Sequence, residues 1–326
     1  MSEMAMQLKP RVLVIMATYN GERYLREQID SVLAQDDVEI SLIISDDCSS
    51  DGTLDVAREY EAIDRRVTVV PHERNVGIGL NFMKPLYDAD IRALDYVAFS
   101  DQDDVWLSGK LARAIDKIKD TEASDTCVCY EDLGTPVLYC SDLQNVNADL
   151  TNPRRELAHL RIDPSKRTTA LMRNYYSGCT MVMNASMAGL LQEYQLVTFP
   201  RIHDAWCALV AQFCGNFIID YDSAFLLRRI TGSNSVGAIY CGSDSKNSSL
   251  ARLFKQSRND GVACARLLLD GYAQRMSDKN VQIVESFIAY RSSLKRRIDW
   301  ALRTDYRASG FMDTLLMRLK LLFGRY

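Results

Sequence analysis

The chain has little of several things. Three histidines in 326 residues, and nine cysteines with no C-x-x-C pair among them, argue against a zinc site. The odd cysteine count argues against a disulfide framework. Cys127 and Cys129 alternate along an expected strand, and Cys207 and Cys214 lie two helical turns apart, so they read as small buried hydrophobes of a reducing compartment. Positive charge is not in excess: the net charge of −4 speaks against a dedicated nucleic-acid binder. Long hydrophobic runs are missing too. The longest uncharged stretch, residues 174–192, contains Asn174, Ser177, Asn184, Ser186, Gln192 and two glycines, unlike a membrane-spanning helix. Residues 1–10 are too short and polar for a secretory signal, and there are no repeats or low-complexity tracts. Gly77-x-Gly79 lacks a third glycine at dinucleotide spacing, which speaks against a nicotinamide site.

What is present is an ordinary globular composition, 47% hydrophobic and 25% charged, in a chain long enough for one large core with or without a helical appendage. Apolar runs at 12–16, 40–44, 67–70 and 96–99 read as strands buried on both faces. Helical periodicity separates them: Leu25, Ile29, Val32 and Leu33, then 53–60, 80–87 and 110–119. This order predicts right-handed crossovers and an α/β fold, a mostly parallel, Rossmann-like sheet with helices on both faces. The loops at 18–20, 46–51, 74–79 and 101–104 then share the C-terminal edge, where such sheets bind ligands. After residue 120 the alternation fades. Short strands are expected at 137–139 and 180–183, a long loop with short helices over 143–173, a helix over 205–213, a strand-like run over 217–227, and helices from 250 onward.

Three Asp-x-Asp pairs occur: Asp88/Asp90, Asp101/Asp103 and Asp220/Asp222. Only Asp101/Asp103 has an apolar strand before it and an amphipathic helix after it. Asp101, Asp103 and Asp104 repel one another unless a cation or hydrogen-bond donors compensate them. Hard divalent cations take oxygen ligands, often carboxylates together with substrate phosphates. The pattern points to a metal–diphosphate site.

Met16-Ala17-Thr18-Tyr19-Asn20-Gly21, Ser45-Asp46-Asp47-Cys48-Ser49-Ser50-Asp51-Gly52-Thr53, Arg74-Asn75-Val76-Gly77, Ser100-Asp101-Gln102-Asp103-Asp104 and Ile202-His203-Asp204-Ala205-Trp206 together resemble the family 2 glycosyltransferases of the GT-A fold, in the right order over residues 11–237. The resemblance implies a GT-A domain over 1–240, with a nucleotide-sugar half at 11–120 and an acceptor half at 121–240, and a helical C-terminal region over 241–326. It implies that Ala17, Tyr19 and Asp47 hold a pyrimidine base, that Arg74 and Asn75 lie near the ribose or diphosphate, that Asp101 lies near the ribose and sugar, and that Asp103 binds Mg²⁺ or Mn²⁺. Asp204 would be the general base of an inverting transfer from a dTDP- or UDP-sugar, with rhamnose among the candidate sugars, to a saccharide or lipid-linked acceptor. His203 stays open as metal neighbour, acceptor contact or structural residue, and Trp206 as core residue or sugar-stacking platform. By pattern alone Asp47 reads as a helix-capping acid, and His203-Asp204 as the cap of the following helix. Many relatives carry histidine where this chain has Thr231; Arg228 or Arg229 would then serve the phosphates.

Two other readings compete. One is a non-catalytic scaffold of a polysaccharide assembly complex, which the four intact acids oppose. The other is a sugar nucleotidyltransferase, which would want a glycine-rich basic loop after the first strand, and residues 16–21 are not one. At the C-terminal end, residues 291–326 contain nine Lys or Arg against three Asp, so they carry +6 and the preceding 290 residues carry −10. Met312, Leu315, Leu316, Leu319, Leu322 and Phe323 fall on one helical face, with Arg318, Lys320 and Arg325 beside it and Lys295-Arg296-Arg297 upstream. Such a helix either packs on protein or lies on an anionic membrane. The expected location is cytoplasmic, peripheral at the inner face of the cell membrane.

Overall fold

The structure is a computed structural model that describes residues 8–157, 163, 166–231, 261–308 and 310–326. Alternation governs the first part: β1 (Arg11–Thr18), α1 (Glu22–Leu33), β2 (Glu39–Asp46), α2 (Thr53–Ile63), β3 (Val67–Pro71), α3 (Ile78–Asp88), β4 (Tyr96–Ser100), then β5 (Val105–Trp106) and α4 (Lys110–Glu122). The rest runs β6 (Val137–Ser141), β7 (Gln144–Val146), β8 (Arg154–Arg155), α5 (Thr168–Met172), a 3₁₀ turn Gly178–Thr180, β9 (Val182–Asn184), α6 (Ala185–Gln192), α7 (His203–Cys214), β10 (Asn216–Asp220) and β11 (Leu226–Arg229). Among the described residues, four α-helices follow: α8 (Gly261–Tyr272), α9 (Asp278–Ile288), α10 (Leu294–Leu302) and α11 (Phe311–Leu322).

Seven strands form the main sheet in the order β10-β6-β9-β4-β1-β2-β3, with only β9 antiparallel to its neighbours. Strand order reverses between β1 and β4, which makes a switch point at their C-terminal ends. The sheet's central strands β1 and β4 are buried on both faces because they are apolar along nearly their whole length. Val12, Val14 and Met16 of β1 meet Leu25, Ile29 and Val32 of α1 and Leu111 and Ile115 of α4. Leu13 and Ile15 join Phe82 and Leu86 of α3 and Trp206 and Leu209 of α7, a core that continues into Leu268, Phe287, Trp300 and Leu321 of the C-terminal helices. A small second sheet, β5-β11-β7-β8, hangs beside the switch point.

Several expectations need correcting. The run over 217–227 is two strands in two sheets. It breaks after Asp220 because that carboxylate accepts from Arg113 Nε (2.7 Å), Ser223 Oγ (2.6 Å) and Tyr139 Oη (3.2 Å), which turns the chain out of the main sheet. Cys127 and Cys129 lie in no strand; only an isolated bridge pairs Tyr130 with Gly134. The stretch 143–173 holds β7 and β8 as well as α5. Thr180 closes a 3₁₀ turn, and the strand starts only at Val182. Helix α11 buries Met317 and Leu321, while Met312, Leu315 and Phe323 of the expected apolar set are exposed. The expected helix start at residue 250 lies outside the described residues.

Candidate active site

The four loops of the first half are sewn together at the switch-point edge. Thr18 ends β1 and donates through Oγ1 to Asp46 Oδ1 (2.9 Å), while its carbonyl accepts from Asp47 N (2.9 Å) and Asn81 Nδ2 (3.1 Å). Asn20 and Cys48 sit at φ 49° and 62°, left-handed conformations that asparagine tolerates better than most residues. Asn20 N donates to Ser49 Oγ (2.9 Å) and Asn20 Oδ1 accepts from Ser50 N (2.8 Å). Asp47 is buried, and its carboxylate accepts from Val76 N (2.6 Å) and Gly77 N (3.0 Å). Its carbonyl accepts from Asn75 Nδ2 (3.2 Å). Asp47 therefore ties the β2 loop to the β3 loop. It does not cap α2: Asp51 takes Thr53 N (3.0 Å) at that helix start. Ala17 is half-buried, and Tyr19, Arg74 and Asn75 are exposed along the same edge.

Gln102 closes the set. Its side-chain amide accepts from Tyr19 N (2.8 Å) and donates to Tyr19 O (3.0 Å), mimicking a neighbouring strand. A Cβ at Gly21 would stand 2.2 Å from Gln102 Oε1, so glycine is required there for this clamp. Sequence reasoning passed over Gln102 because a neutral amide between aspartates carries no charge signal.

The acids after β4 are differently placed. Asp101 and Asp103 are half-buried and Asp104 is buried, and both Asp104 carboxylate oxygens lack a hydrogen-bond donor. Burial, then the charge of Asp101, pushes Asp103 up to about 6. Burial also raises Asp101 and drives Asp104 well above its ordinary range. Asp101 accepts from the Cys179 thiol, which burial keeps protonated. Ligand atoms of Asp101, Asp104 and Cys179 lie within 4.8 Å of one another. Asp103, the expected metal ligand, is outside that cluster; its neighbour Asp104 is inside. A protonated thiol is a poor partner for a hard ion, so the oxygens are the relevant donors. Three carboxylates raised first of all by burial, one with orphaned oxygens, suit a divalent cation.

Asp204 enters from the other half, in the first turn of α7, whose preceding residue Ile202 offers no side-chain cap. It is buried, and burial first, with Asp101 adding repulsion, raises it to about 7. Its carboxylate accepts from its neighbour Ala205 N, from the Gly178 backbone and from the Asn174 side chain. Residues 177–179 are thus the bridge between the two halves. Gly178 N–H reaches Asp204, the Cys179 thiol reaches Asp101, and Ser177 Oγ accepts from Arg228 Nη1 (3.2 Å). A Cβ at Gly178 would stand 2.7 Å from His203 Nε2 and 3.4 Å from Asp204 Cβ, so the approach is close.

His203 and Trp206 are core residues. The His203 ring stacks on Phe82 (centroids 4.0 Å apart), meets Phe99 edge-on, and has no partner for either nitrogen; burial pushes it down to about 3, so it is neutral. Trp206 is buried beside Tyr272 (6.1 Å) and offers no face for sugar stacking.

Arg229 of β11 is 1% exposed. It donates to the carbonyls of Asp103 (2.9 Å), Asp104 (3.4 Å) and Ala148 (3.2 Å), pairs with Glu27, and lies 4.7 Å over Tyr24. It braces the acidic loop through these carbonyls. Arg228 pairs with Glu156, donates to Asn145 Oδ1 (2.9 Å), and lowers the acids of the β4 loop electrostatically. Glu27 and Arg229 are 202 residues apart, a separation no local pattern reveals.

Residues 13–181 match the sequence profile of glycosyl transferase family 2. The chain is 43% identical over 103 residues to the dTDP-rhamnosyl transferase RfbG of Shigella flexneri, covering 31% of this chain and 36% of that protein. It is 38% identical over 132 residues to the putative teichuronic acid biosynthesis glycosyltransferase TuaG of Bacillus subtilis, covering 40% and 51%. The matched stretches thus span between a third and a half of these relatives. The fold resembles that of S. aureus TarS residues 1–349 in complex with UDP-GlcNAc: TM-score 0.56, 18% identity, 90% of this chain and 77% of that one.

Proposed function

We propose, from the premise that the chain belongs to glycosyl transferase family 2 and is a glycosyltransferase, that it transfers a sugar from a pyrimidine nucleotide donor to a saccharide of a surface polysaccharide, with inversion at the anomeric carbon. The nucleotide is UDP or dTDP, and a dTDP-linked deoxysugar such as rhamnose is favoured by the likeness to RfbG. The acceptor is a growing or lipid-linked saccharide, and the reaction belongs at the inner face of the cell membrane.

One observation carries this reading: a buried carboxylate poised near neutrality, Asp204, joined through residues 177–179 to the acids that end β4. Burial raises those acids even with Arg228 nearby, which favours a further positive partner among them. Asp103, with Asp101 and Asp104 beside it, would hold Mg²⁺ or Mn²⁺, which would supply positive charge against the donor's diphosphate. Tyr19, held by Gln102, and the loop tied by Asp47 shape the place for the base, and Arg74 and Asn75 line its edge. Asp204 takes the proton of the acceptor hydroxyl as the oxygen bonds to the anomeric carbon and the bond to the diphosphate breaks. The nucleoside diphosphate leaves, and one displacement inverts the centre. Arg229 and Arg228 position the β4 loop and the 177–179 bridge.

The test is a donor panel of dTDP-rhamnose, UDP-galactose and UDP-N-acetylhexosamines, read by released nucleotide with Mg²⁺, Mn²⁺ or EDTA. Metal-dependent release from one donor class is expected. No release from any donor with either ion would reject the enzymatic reading in favour of a scaffold.

A further inference from the structure

The hairpin formed by α10 and α11 exposes apolar side chains in a pattern that the other described residues do not show. Of the twelve exposed large apolar residues among those described, seven lie within residues 294–323. Soluble surfaces carry such residues singly, and clusters mark interaction sites. On α10 they are Leu294, Ile298 and Leu302, four residues apart and so on one stripe. On α11 they are Phe311, Met312 and Leu315, with Phe323 just beyond its end. The helices are antiparallel: a Cβ at Gly324, after α11, would stand 3.3 Å from Arg297 Cζ of α10.

The stripes are not frayed ends. Trp300 is buried on Phe287 (4.9 Å) and donates to Ser286 O (3.1 Å), and Met317, Leu321 and Tyr326 fill the core from the other side. The link between the helices is pinned to α5: Thr168 donates to Asp305 O, Thr169 Oγ1 donates to Arg307 O (3.3 Å), and Arg307 N donates to Thr169 Oγ1 (3.1 Å). The outward apolar residues are held where they are by a packed inner face.

Charge identifies the occupant. The segment 291–326 carries +6 on a chain of net −4, and Lys295, Arg296 and Arg307 are exposed around the apolar stripe. A second copy would bring two such cationic surfaces face to face, which repels. We propose that the α10–α11 hairpin docks this protein on an anionic lipid bilayer, with the apolar stripes in the interface and the basic rim against the headgroups. The sequence placed the apolar face on the last helix, with Lys295-Arg296-Arg297 upstream; the structure makes α10 an equal half of the surface. The same α5 that pins the hairpin leads into Asn174, whose side chain reaches Asp204. Docking would therefore hold the acceptor end of the site beside the lipid, a point that rests on the proposed lipid-linked acceptor.

The full chain is sedimented with vesicles of phosphatidylcholine alone, or mixed with phosphatidylglycerol, at low and high salt. Binding to the anionic vesicles alone, weakened by salt, is expected. Leu302→Asp with Phe311→Asp, at positions 69% and 82% exposed, reduces it at least about tenfold while thermal stability and donor hydrolysis stay unchanged. Lys295→Glu with Arg296→Glu weakens it as well. No sedimentation, or equal sedimentation with neutral vesicles, overturns the proposal. So does a concentration-dependent dimer in light scattering that the aspartate pair abolishes. Vesicle binding without donor turnover upholds this surface and rejects the proposed function; turnover without vesicle binding does the reverse.

Discussion

The two halves of the sheet build their share of the site in different ways. In residues 11–120, each loop is held by the next loop along the edge: Thr18 to Asp46, Asn20 to Ser49 and Ser50, Asp47 to Val76 and Gly77, Tyr19 to Gln102. Partners come from consecutive strands of one parallel sheet. In residues 121–231, the side chains are placed by long reaches between layers: Arg229 to Glu27, Arg228 to Glu156, Asp204 to the 177–179 bridge. The first half makes a preformed cradle. The second half brings one buried acid to it and braces the acidic loop through its carbonyls.

The comparison breaks most sharply at Asp204. Asp204→Asn should lower turnover by about 10²–10⁴-fold, because a neutral amide cannot accept the proton. Nucleotide affinity, made by the other half, should be unchanged in calorimetry. Loss of nucleotide binding would show that the halves are not separable.

Acidity gives the next effect. Asp204 must be ionised to act, and its carboxyl is raised to about 7, so kcat/KM should fall about tenfold per pH unit below that value. A limb near 4 would mean that Asp204 is not so buried in the working enzyme. The sign for stability is opposite. A folded-state value above the ordinary 3.8 means that the folded form binds the extra proton between 3.8 and about 7. The Asp204 share of stability therefore falls by about 1.4 kcal/mol per unit as pH rises through that window, and Asp204→Asn removes that slope.

Arg229→Ala tests the brace. It strips three carbonyls of a donor and should cost about 3 kcal/mol of stability. Metal-dependent nucleotide affinity should drop about tenfold, while affinity in EDTA stays the same. Loss in EDTA as well would assign Arg229 to the phosphates after all. Gln102→Leu is smaller, a loss of two hydrogen bonds worth about 2 kcal/mol together. It should raise the donor KM and leave kcat nearly intact, as expected of the cradle alone.

The same contrast decides what was legible. Strands buried on both faces write themselves as apolar runs, and β1 to β4 fall where those runs are. Asp101, Asp103 and Asp104 stand out because a strand precedes them and a helix follows. Beyond residue 120 the elements are short and their environment is tertiary. The break at Asp220 depends on Arg113 and Tyr139, which local pattern does not connect. By sequence, His203 and Trp206 beside Asp204 stand open between a site role and a structural one. Yet a helix turns successive side chains by 100°, so the neighbours of a site residue fall on other faces and here enter the core. Ser177 was visible only as part of an uncharged stretch, and Cys179 only within Gly178-Cys179-Thr180, a segment expected to face the acceptor. Their role comes from meeting Asp101 and Arg228 in space.

The central claim is that the acids following β4 hold one cation against a donor diphosphate. Calorimetric titration of UDP and dTDP into the full chain, with Mn²⁺ and with EDTA, tests it most directly. The account expects at least about tenfold tighter nucleotide binding with Mn²⁺ in the unmodified protein, and no such gain in Asp103→Asn. Equal affinity with Mn²⁺ and EDTA, or a gain that survives Asp103→Asn, would contradict it.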